Sequence, residues 1–568
     1  MPSPSKIPLG QLLIERKAIT PEQLEKALQK QKESGGLLGS ILLEMGFISE
    51  ETLFMPVLAG QMNVEFVNLK EFSISPEIIQ KIPPKIAAHY RVIPVALSGE
   101  ELVVASDRPQ DIELMDELAT VTAEPVRLAL AGGKDIEDAI RKYYGIGAET
   151  IESMMGTVEK ALETETIDLI DEKNEEASIS RFLNQILLQA YRDRASDVHI
   201  EPVADDLKIR YRVDGVLYDA RVPGNIKHFK DAINSRIKIL SRLNIAEKRR
   251  PQDGRFKVRV EDLDLDLRVS FLPTPSGESV VLRILQTTRL YKLRELGIPD
   301  KEFKILDRLI RKPNGIIFLT GPTGSGKTTT LYSCLSEINT EQNKIITIED
   351  PVEYQMPGII QIQVNPQIGL TFANGLRSML RHDPDIMMVG EVRDHETAEI
   401  AIQVALTGHL VFSTLHTNDA SGGVTRLIDM GVEPYLVSST VQCFIAQRLL
   451  RKICPHCKRP SEEAFRKHAE IIGEWMKSSG DTDKPMIYQG KGCDHCHGTG
   501  YHGREAIYEF LQITPEIREL IMQKAQAELI AQKAVAQGMV PLAQAGWLKV
   551  KQGLTTPEEV IRVTRQEM

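Results

Sequence analysis

The stretch "GIIFLTGPTGSGKTTTLYSCL", beginning at Gly315, restricts this chain more than any other segment. An apolar run leads into a glycine-rich loop, and the loop opens a helix-forming sequence. Gly321, Pro322, Thr323, Gly324, Ser325, Gly326, Lys327 and Thr328 satisfy the P-loop spacing in full, and Thr329 follows in the first helical turn. Such a loop must lie between a buried strand and a helix N-terminus. Its glycines let backbone N–H groups approach phosphate oxygens, and the helix adds the positive end of its dipole. Lys327 is thereby placed for the β- and γ-phosphates and the Thr328 hydroxyl for Mg²⁺. A chance match on a structural turn would not be expected to satisfy spacing and context together. The reading is an α/β nucleotide-binding module.

A second strand raises a problem. In the usual P-loop arrangement a downstream apolar strand ends in an Asp that holds Mg²⁺. Here "DIMMVGEVRD" ends its apolar run in Gly390-Glu391. Acidic residues gather on another strand instead, "KIITIEDPVEY", which ends in Glu349-Asp350 with Glu353 close behind. Carboxylates at strand C-termini of such a module fall at the rim where nucleotides bind. A strand-end Glu is where a hydrolytic base must sit, which favours Glu391. Asp383, Asp385 and Asp394 read as turn caps, with an Arg393–Asp394 ion pair left open. "TGHLVFSTLHTNDA" places His409 and His416 on either side of a further apolar strand.

At 568 residues the chain is long enough for several domains, at about 150 residues each. Residues 1–60 carry an imperfect repeat, "LGQLLIERKAITPEQLEKALQKQ" and "LGSILLEMGFISEETLFMPVLAG", each a helix, a capped turn and a second helix. Strand and helix patterns then alternate to Tyr144, so 1–145 reads as a helical-repeat plus α/β interaction domain. Residues 146–176 are acidic and poor in aromatics, and read as a flexible linker with some helical character. A second α/β domain spans 177–290, and 291–568 holds the P-loop, a cysteine-rich segment and a helical tail. The net charge of −10 and the lack of a basic groove interleaved with aromatics speak against nucleic acid as a partner. Neither a signal-peptide core nor a bilayer-length apolar run is visible, so a cytoplasmic location is expected, with membrane association through a partner.

"CPHC" and "CDHC" set Cys454, Cys457, Cys493 and Cys496 as two matched knuckles. Four thiolates at this spacing fit a closed, structural Zn²⁺ site in segment 454–496, in preference to a redox pair. Cys334 and Cys443 read as ordinary buried thiols.

The P-loop, "TIEDPVE", "HDPDIMMVGEVRD" and "TGHLVFSTLHTNDA", in this order, resemble the secretion ATPase superfamily that powers type II secretion and type IV pilus assembly. The resemblance covers roughly 177–568, and the tetracysteine segment is similar to that of the pilus-extension and type II branch. It implies a RecA-like ATPase domain preceded by a PAS-like α/β domain. It implies Glu391 as general base, with Lys327, His416 and Glu349 also catalytic. Thr328, Glu349, Asp350 and Glu353 would serve Mg²⁺, and His416 would sense the γ-phosphate. Arg255, Arg268 and Arg283 would reach the nucleotide from the preceding domain, with Arg210 and Arg212 behind them. The resemblance further implies a homohexamer that drives an inner-membrane platform protein in pilus extension, alongside other cytoplasmic assembly proteins, with the type II secretion motor as the alternative. The early repeats are also similar to a module that binds cyclic di-GMP, but Pro8 and Leu37 stand where that motif has Arg and Lys17 where it has Gly, although Gly46 fits. Docking to a membrane-associated partner is the preferred reading of that module.

Overall fold

The computed structural model describes residues 20–34, isolated positions from 14 to 45, and 55–564 apart from 63, 71, 123, 164–168, 205, 261–262, 286–290 and 480–484. The motif positions Pro8, Lys17, Leu37 and Gly46 lie outside the described residues. Two units divide the chain, 1–284 and 285–568.

In the first unit, strands β1 (Val92–Ser98), β2 (Glu101–Ser106) and β3 (Val126–Leu130) form a three-stranded sheet in that order. Alternate residues feed two small cores. Ile93, Val103 and Ala129 face one, and Val92, Leu102 and Leu128 face the other. The helices Ile112–Thr122 and Gly133–Tyr144 fall where the pattern places them.

Two helices, Ala148–Glu163 and Leu169–Arg192, run through the expected linker 146–176, in keeping with its helical character. Ile151 and Met154 are buried with Phe182, Leu183 and Ile186 in the core of the second α/β domain. The stretch "TIESMM" carries its apolar residues three and four apart, which is a helix stripe inside an otherwise acidic composition.

That second domain is built on a six-stranded sheet. Its strands are β4 (Ala195–Val203), β5 (Asp206–Val213), β6 (Val216–Asp219), β7 (Gln252–Val260), β8 (Leu263–Thr274) and β9 (Gly277–Leu285), in the order β6-β5-β4-β9-β8-β7. One face is apolar and packs on the helices Leu169–Arg192 and Lys230–Leu240. Charged residues line the other face.

The second unit is a seven-stranded sheet. Its strands are β10 (Gly315–Thr320), β11 (Ile345–Glu349), β12 (Ile359–Gln363), β13 (Ile386–Val389), β14 (Leu410–Leu415), β15 (Val441–Ile453) and β18 (Tyr501–Gln512), ordered β12-β11-β13-β14-β10-β15-β18. The short strands β16 (Lys458–Pro460) and β17 (Tyr488–Gly490) pair separately beside the cysteine segment. Every residue of β10, β11, β13 and β14 is buried, which explains their unbroken apolar runs: helices cover both faces of a parallel sheet. Within the seven-stranded sheet, β18 runs antiparallel to β15, and the small β16–β17 pair is antiparallel too.

The tail helices are part of this core. Trp547 is buried 6.0 Å from Trp475, and Val560 is fully buried. Glu559, 1% exposed, anchors the last helix by accepting from Arg451 Nε and Nη2 at 3.1 and 2.9 Å and from Arg562 Nε at 3.0 Å. Burial pushes its pKa up, but hydrogen bonds and charge from Arg562 and Arg451 outweigh burial and hold it below the ordinary Glu range. A depressed folded-state pKa stabilises above the unfolded value and is lost as pH falls through the folded one. Glu559→Ala is expected to cost about 3–5 kcal/mol by stranding Arg451. Glu559→Gln is expected to flatten the acid limb of the stability–pH curve below about pH 4.5, measured by denaturant titration.

Candidate active site

The strand register sets which side chains meet. In the parallel sheet Thr320 lies beside Leu415 on one side and Ala446 on the other. Ile348 lies beside Val389. The P-loop, Glu349, Glu391 and His416 therefore gather at one edge of the sheet, where β15 runs on past β10 and carries Gln447 and Arg448. His409 precedes β14 and stands at the opposite edge, a strand length of about 20 Å away. Its Nδ1 lies 3.1 Å from the Val404 carbonyl, which makes it a turn residue.

The P-loop backbone needs its glycines. Gly321 has φ 146°, and a Cβ there would stand 2.7 Å from both the Gln447 carbonyl and Ser325 Oγ. Gly326 has φ 89° and faces the Gln447 amide in the same way. Lys327 opens the helix Lys327–Ile338 and donates to the Gly321 carbonyl at 2.6 Å and the Pro322 carbonyl at 3.0 Å. Burial first and the Arg448 charge second push its pKa down, and Glu391 partly offsets them, to leave it at about 8. A phosphate partner requires the ammonium form. Nucleotide affinity is therefore expected to be level below pH 8 and to fall by up to tenfold per unit above it, with proton uptake on binding measurable by calorimetry in two buffers.

Glu391, 9% exposed, sits between two cationic or proton-carrying groups. Arg393 Nη2 lies 2.6 Å from Oε1 and His416 Nε2 lies 3.2 Å from Oε2. The backbone holds this arrangement in place, since Val392 N donates to the Thr414 carbonyl at 3.0 Å and Thr414 Oγ1 to the Gly390 carbonyl at 2.7 Å. Arg393 thus pairs with Glu391 and not with Asp394. Asp394 caps the helix His395–Leu406 through Thr397 N at 2.8 Å. Asp385 does not cap a turn in this contact: it ties the starts of β11 and β13 together, accepting from Lys344 N at 2.7 Å.

Glu349 is the centre of a buried polar cluster. Its Oε2 accepts from the Tyr332 hydroxyl, and its Oε1 accepts from Thr347 Oγ1 at 2.6 Å and Gln361 Nε2 at 3.2 Å. Burial raises its pKa, and the three donors pull it back only in part. Three of a carboxylate's roughly four lone-pair positions are thus taken by neutral protein groups. Asp350 and Glu353 on the same loop are exposed, and Thr328 is half-buried.

The arginines singled out in the preceding domain are engaged within that domain. Arg255 grips Asp266 through Nε and Nη2 at 2.7 and 2.6 Å. Arg283 Nε donates to Asp197 at 2.8 Å, and Arg210 Nε to Glu201 at 2.8 Å. Arg268 lies opposite Arg255 in the β7–β8 register.

Sequence reasoning missed Gln447, Arg448 and Tyr332. Thr330 Oγ1 donates to Gln447 Oε1 at 2.9 Å, and Arg448 Nη2 donates to the Asn418 carbonyl at 2.6 Å. The one available signal was a polar Gln-Arg pair interrupting the apolar strand "VQCFIAQRLL".

The four cysteines converge as expected. Sγ separations are 3.8 Å for Cys454–Cys493, 3.8 Å for Cys457–Cys496 and 3.7 Å for Cys493–Cys496, and all four sulfurs lie within 4.8 Å of one another. Gly490 and Gly500 allow this close approach: a Cβ on Gly490 would stand 2.1 Å from the Gly500 carbonyl. Cys334 and Cys443 are fully buried elsewhere.

Among the described residues no helix is long and apolar enough to cross a membrane. A family model described as type II/IV secretion system protein matches residues 172–562, and the MshEN domain model matches 62–150. The chain is 41% identical over 560 residues to the type IV pilus assembly ATPase PilB of Myxococcus xanthus, covering 97% of this chain and 98% of that protein. It is also 41% identical over 558 residues to the type II secretion system protein E of Xanthomonas campestris, covering 97% of each. The X-ray structure of the Legionella pneumophila ATPase DotB matches with a TM-score of 0.50 at 22% identity, over 68% of this chain and 95% of that one, and shares the fold. Together with a P-loop and a strand-end glutamate on one edge of a RecA-like sheet, these matches mean that the chain belongs to the type II/IV secretion system protein family and is an ATPase.

Proposed function

We propose that this ATPase is the motor of type IV pilus extension, working as a cytoplasmic homohexamer on an inner-membrane platform protein. The observation that carries the reading is Glu391, held by Arg393 and His416 beside Lys327, in a chain that aligns end to end with a pilus assembly ATPase. The equal identity to a type II secretion protein supports a second reading, the pseudopilus motor.

In the hydrolytic step Lys327 leaves the carbonyls of Gly321 and Pro322 for the nucleotide phosphates. Glu391 orients the attacking water and accepts its proton, as the P–O bond to the leaving ADP breaks. His416 steadies the carboxylate and responds to loss of the γ-phosphate. Mg²⁺, when bound with ATP, neutralises charge on the β- and γ-phosphates. The residues present fit it: the Thr328 hydroxyl, with the exposed Asp350 and Glu353, would hold the ion and its waters. Glu349, occupied by Tyr332, Thr347 and Gln361, would keep the acidic loop in shape and not ligate directly. Phosphates would compete with Asp266 and Asp197 for Arg255 and Arg283, and Arg268 would join them on closure over the nucleotide.

The cysteine cluster would hold structural Zn²⁺. A tetrahedral site with Zn–S bonds of about 2.3 Å has sulfur–sulfur edges of about 3.8 Å, close to the separations of 3.8, 3.8 and 3.7 Å found here.

Deletion of the gene from its host tests the two readings. Loss of surface pili with protein export intact, restored by the wild-type gene and not by Lys327→Ala, is the expected result. Loss of export with pili intact would identify the secretion motor instead. For the N-terminal domain, 1–145, docking to a membrane-associated partner is proposed in preference to cyclic di-GMP binding.

A further inference from the structure

His416 is half-exposed at the end of β14, so packing of its own side chain does not fix it. The residues after it, Thr417 to Ala420, have no regular secondary structure. Yet three side chains from three different strands hold their backbone. Thr320, the last residue before the P-loop, donates Oγ1 to the Asp419 carbonyl at 3.2 Å. Arg448 on β15 donates Nη2 to the Asn418 carbonyl at 2.6 Å. Glu509 on β18 accepts from Ala420 N at 2.8 Å with Oε1. Its Oε2 accepts from Leu542 N at 3.1 Å, at the start of the tail helix Leu542–Lys551. Thr320, Arg448 and Glu509 are 0%, 7% and 4% exposed.

Burying a carboxylate is costly unless its oxygens are satisfied. Here two backbone N–H groups satisfy them, one from the loop after His416 and one from the tail. We propose that Glu509, with Arg448 and Thr320, forms a clamp that positions His416 against Glu391 and fastens that loop to the tail helices. These are positioning residues, since none touches the reacting atoms in this arrangement. The inference rests on the role given above to His416. Burial raises the pKa of Glu509, and the N–H groups of Ala420 and Leu542 offset this only in part, so the loop and tail contacts matter to the group that makes them.

A bland reading is that Glu509 only staples the tail. Kinetics of Glu509→Gln, His416→Ala and the double variant in the full chain separate the two. An amide keeps the size but has one acceptor oxygen, so either Ala420 N or Leu542 N loses its partner. Glu509→Gln is expected to lower kcat about tenfold with KM for ATP within about twofold, because a small displacement near the chemistry lowers turnover. In the His416→Ala background the same change is expected to add nothing, since the clamp acts through that ring. Arg448→Lys, tested the same way, is expected to show the same non-additivity and covers poor folding of Glu509→Gln. An equal loss in both backgrounds, or unchanged turnover in both clamp variants, would overturn the clamp. His416→Ala with wild-type turnover would overturn the role of His416 itself, which is a distinguishable failure.

Discussion

Glu391→Gln is expected to lower ATP turnover by about 10²–10⁴-fold while ATP still binds. The amide keeps the shape of the side chain but cannot accept the proton of the attacking water. Arg393 and His416 both face this carboxylate, at 2.6 and 3.2 Å, so its charge is compensated and its two oxygens are oriented. Losing the charge turns the Arg393 ion pair into a hydrogen bond from a cation to a neutral amide oxygen. The P-loop has contacts of its own that hold its shape, since Lys327 donates to the Gly321 and Pro322 carbonyls and Thr330 to Gln447. Binding and chemistry should therefore separate: kcat drops steeply and the affinity for a fluorescent ATP analogue changes by no more than about threefold. Retained turnover would remove Glu391 from the chemistry and leave Asp350 and Glu353 to be tested as the base.

The second large effect is expected at the cysteine cluster. Wild-type protein should contain one Zn²⁺ per chain, and Cys454→Ser should contain much less. The sulfurs lie where two chain segments cross, with Cys454 N donating to the Gly500 carbonyl at 2.9 Å and Lys491 N to the Cys457 carbonyl at 3.1 Å. Four unligated thiols there would leave these crossings held by a few hydrogen bonds of about 1 kcal/mol each. Structural zinc binding is worth about 10 kcal/mol or more in small domains, so its loss should open the segment from Cys454 to Gly500. Limited proteolysis should then cut within 454–500, while the fully buried strands of the central sheet stay protected. The comparison variant is Cys443→Ala, a buried thiol outside the cluster, which should keep its zinc. Equal zinc in wild type and Cys454→Ser would remove the metal reading.

Much of the site was legible because its chemistry is written in short, local patterns. A P-loop needs two glycines, here Gly321 and Gly326, with Lys327 and Thr328 at set spacing, and each cysteine knuckle needs only one pair of residues. The strand-end position of Glu391 followed from an apolar run and a glycine. The apolar pattern also placed β1, β2, β3 and their helices. It hid β4, where Val198 and Ile200 alternate with Asp197, His199 and Glu201 directly behind a helix. It likewise hid the packed helix at Ile151 and Met154 beneath an acidic composition.

By itself, then, the sequence determined which residue types this protein brings to phosphate, water and metal, since each of those chemistries needs its groups close together along the chain. The tertiary structure decided which of them meet. The sheet inserts β14 between β10 and β13, so His416 comes to stand beside Glu391, and β15 lies along β10, so Arg448 reaches the P-loop. It also sends His409 to the far edge and gives Glu349 to Tyr332, Thr347 and Gln361. Strand order and register are fixed by burial of whole faces against covering helices, a property of the assembled sheet that no single stretch of sequence contains.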